Sequence, residues 1–399
     1  MKNKYPLIKY LLAISSPVIW LLNWLFPTKK DLILFQAANY DAYSDNVKYL
    51  FEYMALNSDK KCYWLTRNRN LEEYLTENKL KFVHHPSLKS IYYFLRCNYM
   101  VSGETSPPNG KGFLSHYAKK ISVSHGYGPR STNSPDGKVY KTAFSIAKSI
   151  NKFDIMGFSS LFTKNLIGKG LFLLPEAKTM VTGLPRCDML FDDKLCDLKK
   201  SKKGFCRSEF IDITDQSKVI LYAPTWRQNS NIGLPLLNDG ALDLSTFNST
   251  LKNNDIFLLI SCHILDSDKL IMNELSNIKL FTPSFSVDIH NLLPEIDLLI
   301  SDYSSVITDF LLLKRPILFH IPDYEYYNNY GLNVDFKSFL PGKEIVNLID
   351  FQNLILRKTV FTISKKNESD IYLKMFYDTD MKKSCHRYLQ YFNNNLCVE

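Results

Sequence analysis

The residues able to do chemistry stand in short polar stretches, each directly after an apolar run. The most developed is Ser301-Asp302-Tyr303-Ser304-Ser305, preceded by the run Ile296 to Ile300 and followed by Val306, Ile307, Phe310 and Leu311 at helical spacing. The first run reads as a buried parallel strand and the second as one face of a helix. Ser and Asp between them suit an N-cap, because their oxygens accept the free N–H groups of a first helical turn. Those N–H groups, at the positive end of the helix dipole, also attract anions, so two adjacent hydroxyls there could hold a phosphate. Ser124-His125-Gly126 follows the run at Ile121, and a His at a strand end beside a Gly could serve as a general base. Ala223-Pro224-Thr225-Trp226-Arg227 follows the run at Val219. Thr225 and Arg227 could bind phosphate oxygens there, Arg in a two-pronged fashion. Ser261-Cys262-His263 places a second His at a strand end, and His320 begins another polar stretch running to Glu325. Each stretch has a plainer use too: an N-cap, a turn-stabilising His, a surface Arg beside a core Trp, a His satisfied in the core. Five of them in one chain make coincidence a poor explanation.

Two alternating series of strands and helices must position these ends. In the first, strands are expected at Leu32 to Ala37, Cys62 to Leu65, Phe82-Val83, Tyr99 to Ser102, Ile121 to Ser124, Ile155 to Phe158 and Thr179 to Thr182. Between them, Ser44-Asp45-Asn46 caps a helix with Val47, Leu50, Phe51 and Met54 on its apolar face. Leu88, Ile91, Tyr92 and Leu95 mark another helix. In the second series, strands are expected at Val219 to Ala223, Phe257 to Ser261, Lys279 to Phe281, Ile296 to Ile300 and Ile317 to His320. Such alternation implies parallel sheets with helices on both faces, and ligands at the carboxyl ends of strands. The expected domains are residues 31–190 and 217–375, joined by a Lys- and Asp-rich linker at 191–216, with a helical tail at 376–399. Two such domains facing a cleft are the architecture of nucleotide-sugar transferases.

With 399 residues, 45% of them hydrophobic, the chain can bury two cores, and its net charge of +9 suits anionic partners or a solvated basic surface. The eight cysteines have no C-x-x-C spacing and form no zinc pattern, which fits a reducing cytoplasm. Residues Tyr10 to Phe26 are nearly all apolar, carry Trp20 and Trp24, and are flanked by Lys2, Lys4, Lys9, Lys29 and Lys30. Pro17 and Asn23 interrupt a run already short of the roughly 20 residues a spanning helix needs. A helix lying in the membrane surface fits residues 1–30 better.

In combination the motifs resemble the CDP-glycerol glycerophosphotransferases of teichoic acid and related capsule synthesis. The resemblance rests on His125-Gly126, Gly183-Leu184-Pro185-Arg186-Cys187-Asp188, Tyr222 to Arg227, Asp302-Tyr303-Ser304-Ser305 with Asp309, and Arg315-Pro316, Asp323, Tyr327 and Pro341-Gly342. Tyr43-Ser44-Asp45-Asn46 also looks familial, and the likeness covers roughly Asp31 to Asp350. Tyr127-Gly128 stands where the family usually has Thr-Pro, and Tyr330-Gly331 where Arg-Gly is common. The resemblance implies a GT-B-like α/β fold of two Rossmann-like domains. It implies attack of an acceptor hydroxyl on the β-phosphorus of a CDP-polyol such as CDP-glycerol, with loss of CMP. His125 would be the base, and Arg227, His263, Ser304 and Ser305 would hold the pyrophosphate. Thr225 and Asp309 would contact the donor or position other groups. The acceptor would be a lipid-linked or polymeric hydroxyl at the cytoplasmic face of the membrane, with no nucleic acid, cofactor or metal expected. No Asp-x-Asp stands at a convincing strand end; Asp378-Thr379-Asp380 has that spacing but falls in the polar tail. A hexosyl transferase using a nucleotide sugar, or a non-catalytic scaffold for anionic polymer, would share parts of this pattern.

Overall fold

The computed structural model describes residues 21–22, 24–37, 41–103, 118–128, 153–191, 216–225, 234–261, 275–330, 332, 336–338, 340–363, 365–377 and 381–394. The chain divides into two compact units, each with a wholly parallel sheet. The first comprises Met1–His125, Phe144–Asp188 and Thr379–Glu399; the second comprises Gly126–Ala143 and Met189–Asp378.

The first unit holds seven strands in the order β3-β2-β1-β4-β5-β6-β7. They are β1 (Lys29–Gln36), β2 (Lys61–Thr66), β3 (Phe82–His84), β4 (Cys97–Ser102), β5 (Lys119–Ser122), β6 (Ile155–Phe158) and β7 (Thr179–Val181). The central strands are buried over most of their length, as strands covered on both faces must be. Helix α1 (Asp45–Asn57) buries the expected Val47, Leu50, Phe51 and Met54. Helix α2 (Arg69–Glu77) starts at Asn68, whose side chain accepts from the N–H groups of Asn70 and Leu71.

Helix α3 (Leu88–Arg96) forms at the expected place, with a rotation that the sequence left open. It buries Ser90, Phe94 and Leu95, and leaves Leu88 86%, Ile91 40% and Tyr92 40% exposed. A capping box decides the rotation: Ser87 and Ser90 bond each other's backbone N–H, and His85 Nδ1 meets Ser90 Oγ at 3.0 Å. With Ser90 turned inward, Phe94 one turn on faces the sheet and the other apolar residues face outward.

The segment expected as a separate tail belongs to this first unit. Helix α10 (Ser384–Asn394) buries Tyr388, Tyr391 and Phe392, and Phe392 packs on Tyr99 with centroids 5.0 Å apart. Thr182 Oγ1 donates to Tyr388 Oη at 3.1 Å, and any Cβ on Gly157 of β6 would collide with that phenol oxygen. The expected linker lies almost wholly outside the described residues, as does most of the N-terminal apolar segment.

The second unit holds six strands in the order β10-β9-β8-β11-β12-β13. They are β8 (Lys218–Tyr222), β9 (Ile256–Ile260), β10 (Ile278–Leu280), β11 (Leu298–Ser301), β12 (Ile317–Phe319) and the unanticipated short β13 (Lys343–Glu344). Its core gathers Ile220, Leu258, Leu298 and Leu318 from the sheet under Phe247 of α5 (Leu244–Asn253) and Phe351 of α8 (Leu348–Leu356). The chain builds outward from β8 to β10, then returns to place β11 on the other side of β8. The switch point between β8 and β11 opens a crevice at their carboxyl ends. There the chain enters α6 (Val306–Leu311); α7 (Tyr324–Tyr330), α9 (Lys366–Phe376) and the loops between them complete the unit.

Candidate active site

In the first unit the site is built on His125 and the turns that fix it. His125 stands between Ser124 at φ 50° and Gly126 at φ 74°, both in the left-handed region. Its side chain is 50% exposed, and Nδ1 lies 2.5 Å from Asp45 Oδ2. The carboxylate can only accept, so in the neutral ring the proton sits on Nδ1. Asp45 itself has φ 65° and also holds Arg186, whose Nη1 sits 2.7 Å from Oδ1. Arg186 is 4% exposed and further donates to the carbonyl of His125. Asn46 fastens the set: Nδ2 donates to the Ser124 carbonyl at 2.9 Å, and Oδ1 accepts the Arg186 N–H at 3.1 Å. The expected cap at Ser44-Asp45-Asn46 therefore serves another purpose. Ser44 makes no side-chain cap bond, while Asp45 and Asn46 turn to the His125 loop.

Helix α4 (Pro185–Asp188) presents Arg186 on one side and Asp188 on the other. Asp188 is 1% exposed and accepts the N–H groups of Ser384 and Cys385 at 2.9 and 2.7 Å, so it caps α10. Burial outweighs those two bonds and pushes its carboxyl up to about 6.

In the second unit the ends of β8 and β11 are tied across the switch point. Asp302 Oδ1 accepts from Thr225 N–H at 2.8 Å, Thr225 Oγ1 at 2.6 Å and Tyr303 N–H at 2.6 Å; Ser301 Oγ donates to the Ala223 carbonyl. Tyr303 is fully buried and packs on Tyr327 with centroids 4.3 Å apart. These anchors leave Ser304 and Ser305 at the start of α6, half-buried, with neither hydroxyl bonded to a described group. Gly128, three residues beyond His125 in sequence, lies against this turn; a Cβ there would come 2.7 Å from Ser305 Cα. Neither a proline nor any other side chain fits that approach, which accounts for Gly at this departure from the family pattern.

Of the residues expected to bind the donor, Ser304 and Ser305 have open hydroxyls. The Thr225 hydroxyl is engaged by Asp302. Asp309 is fully buried; it accepts from Tyr377 Oη and lies 3.2 Å from His290 Nε2. His290 Nδ1 in turn lies 3.7 Å from Asp288. Thr225 and Asp309 thus touch protein groups and suit positioning. Arg227 and His263 lie outside the described residues.

The family model of CDP-glycerol:poly(glycerophosphate) glycerophosphotransferases matches residues 18–392. The chain belongs to this family. It is 30% identical over 364 residues to the teichoic acid poly(glycerol phosphate) polymerase of Bacillus spizizenii, covering 86% of this chain and 87% of that one. It is 27% identical over 346 residues to the teichoic acid glycerol-phosphate transferase of Staphylococcus aureus, covering 80% and 81%. The structure of the wall teichoic acid polymerase TagF superposes with a TM-score of 0.75 at 20% identity, covering 97% of this chain and 95% of that one. The fold is therefore GT-B-like. Within this glycerophosphotransferase framework, sequence reasoning missed Asp45, Asn46 and Arg186 as site residues. The motifs containing them were visible, but a helix cap and an interior Arg explained them equally well until the fold brought them to His125.

Proposed function

We infer that this transferase moves a glycerol phosphate unit from CDP-glycerol to a hydroxyl of a poly(glycerol phosphate) chain or its lipid-linked precursor, releasing CMP. The acceptor oxygen bonds to the β-phosphorus, the bond from that phosphorus to the CMP oxygen breaks, and the acceptor proton passes to His125 Nε2. The observation that carries this reading is the half-exposed imidazole held through Nδ1 by Asp45, because an attacking hydroxyl needs a base of fixed tautomer. As the proton arrives, the Asp45 carboxylate stabilises the imidazolium. Phosphoryl transfer otherwise needs positioning and charge neutralisation. Open hydroxyls on Ser304 and Ser305 support their contact with donor phosphate oxygens, joined by Arg227 and His263 from their motif positions.

Attachment to the cytoplasmic face of the membrane is part of the proposal. No helix among the described residues is long and apolar enough to cross a membrane. Leu21, Trp24, Leu25 and Phe26 are 48%, 66%, 55% and 37% exposed, and Arg96 of α3 donates to the Pro27 carbonyl. The outward residues of α3, Leu88, Ile91 and Tyr92, add to that apolar surface, with Lys29, Lys30, Lys89 and Arg96 able to meet anionic headgroups.

The test is incubation of purified protein with CDP-glycerol and a glycerol phosphate primer, with CMP followed by chromatography. CMP should appear together with a lengthened primer. Consumption of a nucleotide sugar with CDP-glycerol left intact would overturn the reading.

A further inference from the structure

Behind the donor residues, at the amino end of β12, the second unit contains a cavity of about 330 Å³. Nucleotides in open parallel sheets bind at the opposite, carboxyl ends. Helix α6 joins the two places: it begins after Ser305 and ends at Leu311, which forms part of the cavity wall. Four cationic side chains line the cavity, those of Lys314, Arg315, Lys365 and Lys366, against one carboxylate, Asp370. Arg315 is fixed by donating to the Ile296 carbonyl. Among the described residues no carboxylate pairs with Lys314, Lys365 or Lys366. The apolar walls come from Leu311, Pro316, Phe361 and Leu373, with the hydroxyl of Thr362 beside them. Helix α9 begins here at Lys366 without a side-chain cap, which adds partial positive charge to an already basic wall.

We propose that this cavity binds phosphodiester groups of the polyol phosphate chain, at a point removed from the reacting terminus. The proposal rests on the acceptor class inferred above. Unpaired cations of one sign around a small cavity repel one another, and an anion relieves that repulsion. A single phosphate would answer one or two of them, whereas a chain with a negative charge on every unit answers several in succession. Short apolar walls suit the methylene groups of glycerol, and Thr362 and Asp370 can bond its hydroxyls. A nucleotide fits less well: Phe361, the only aromatic ring in the wall among the described residues, has Lys218 Nζ over its face at 5.8 Å. A second hold on the chain keeps it on the enzyme between additions, so the cavity would favour long products.

The test uses the full chain and the triple variant Lys314→Gln, Lys365→Gln, Lys366→Gln, with folding checked by thermal melts. The probe is a fluorescent synthetic glycerol phosphate oligomer of about ten units, titrated over a salt series. Each phosphate contact to a flexible polyanion contributes about 0.7 to the slope of log affinity against log salt, so the triple variant should lose about 2. Its affinity should fall at least about tenfold, while CMP release with a two-unit primer stays at the wild-type rate. Unchanged oligomer affinity and slope in a folded variant would overturn the proposal. Weaker flotation with phosphatidylglycerol vesicles beside unchanged oligomer affinity would assign the cations to a lipid headgroup, and the polymer site would fall. If wild type releases no CMP from CDP-glycerol yet loses oligomer binding on substitution, the reading of the reaction fails and the cavity assignment stands.

Discussion

In the proposed mechanism His125 and Asp45 act as one group, which makes their substitutions strongly non-additive. Asp45→Asn should lower turnover at saturating CDP-glycerol by about 10²–10⁴-fold, because an amide can stabilise the wrong tautomer and cannot balance an imidazolium. His125→Ala should do as much, and the double variant little more. Donor affinity, measured by calorimetry, should stay near wild type in all three; multiplicative losses in turnover would separate Asp45 from the base. Ser304→Ala with Ser305→Ala tests the other centre. It should weaken CDP-glycerol binding by about 1–3 kcal/mol, the worth of hydrogen bonds to a charged group. A folded variant with undiminished affinity would leave the two hydroxyls no role in donor binding. The candidate reactive residues stand out in the sequence because strand ends in parallel sheets are where polar residues gather. The residues that hold them do not. Asp45, Asn46 and Arg186 are separated from His125 by 80, 79 and 61 positions, and only the packing of α1 and α4 brings them together.

At the scale of elements, strands were read well because fully buried strands are short apolar runs whatever surrounds them. Helical faces were read less well. In α3 the apolar spacing of Leu88, Ile91 and Tyr92 marked the helix but not its buried side, because a capping box turned Ser90 inward. The outward stripe carries a prediction: Leu88→Glu with Ile91→Glu should reduce binding to anionic vesicles in flotation while leaving CMP release from a soluble primer intact. Equal flotation would remove α3 from the membrane surface. Asp188 beneath α10 gives a pH signature. Its folded value, about 6, lies above the ordinary carboxylate value, so its contribution to stability is complete below the ordinary range and lost as pH rises through about 6. Asp188→Asn removes the titration. The melting temperature of wild type relative to this variant should therefore rise as pH falls from about 7 to about 5. A gap that stays constant would mean Asp188 titrates normally in the fold.

Over the whole molecule, the chain passes between its units four times, at His125–Gly126, Ala143–Phe144, Asp188–Met189 and Asp378–Thr379. Two of those passages fall on motif residues, His125 and Asp188, which explains why boundaries drawn from composition alone could not place them. The last passage governs synthesis. A chain emerging from the ribosome makes the seven-stranded sheet early, but Thr182, Asp188 and Tyr99 wait for partners on α10, 206 positions beyond Thr182 and 196 beyond Asp188. Until then a buried carboxylate at position 188 has no N–H groups to meet, and the aromatic ring of Tyr99 lacks its cover. The nascent first unit thus stays incomplete until the second unit has been made. A stop codon after Tyr377 should yield a chain with an intact second unit that is nevertheless rapidly degraded in cells. Pulse-chase labelling would measure this, and a half-life equal to wild type would show that the first unit holds without its closing helix.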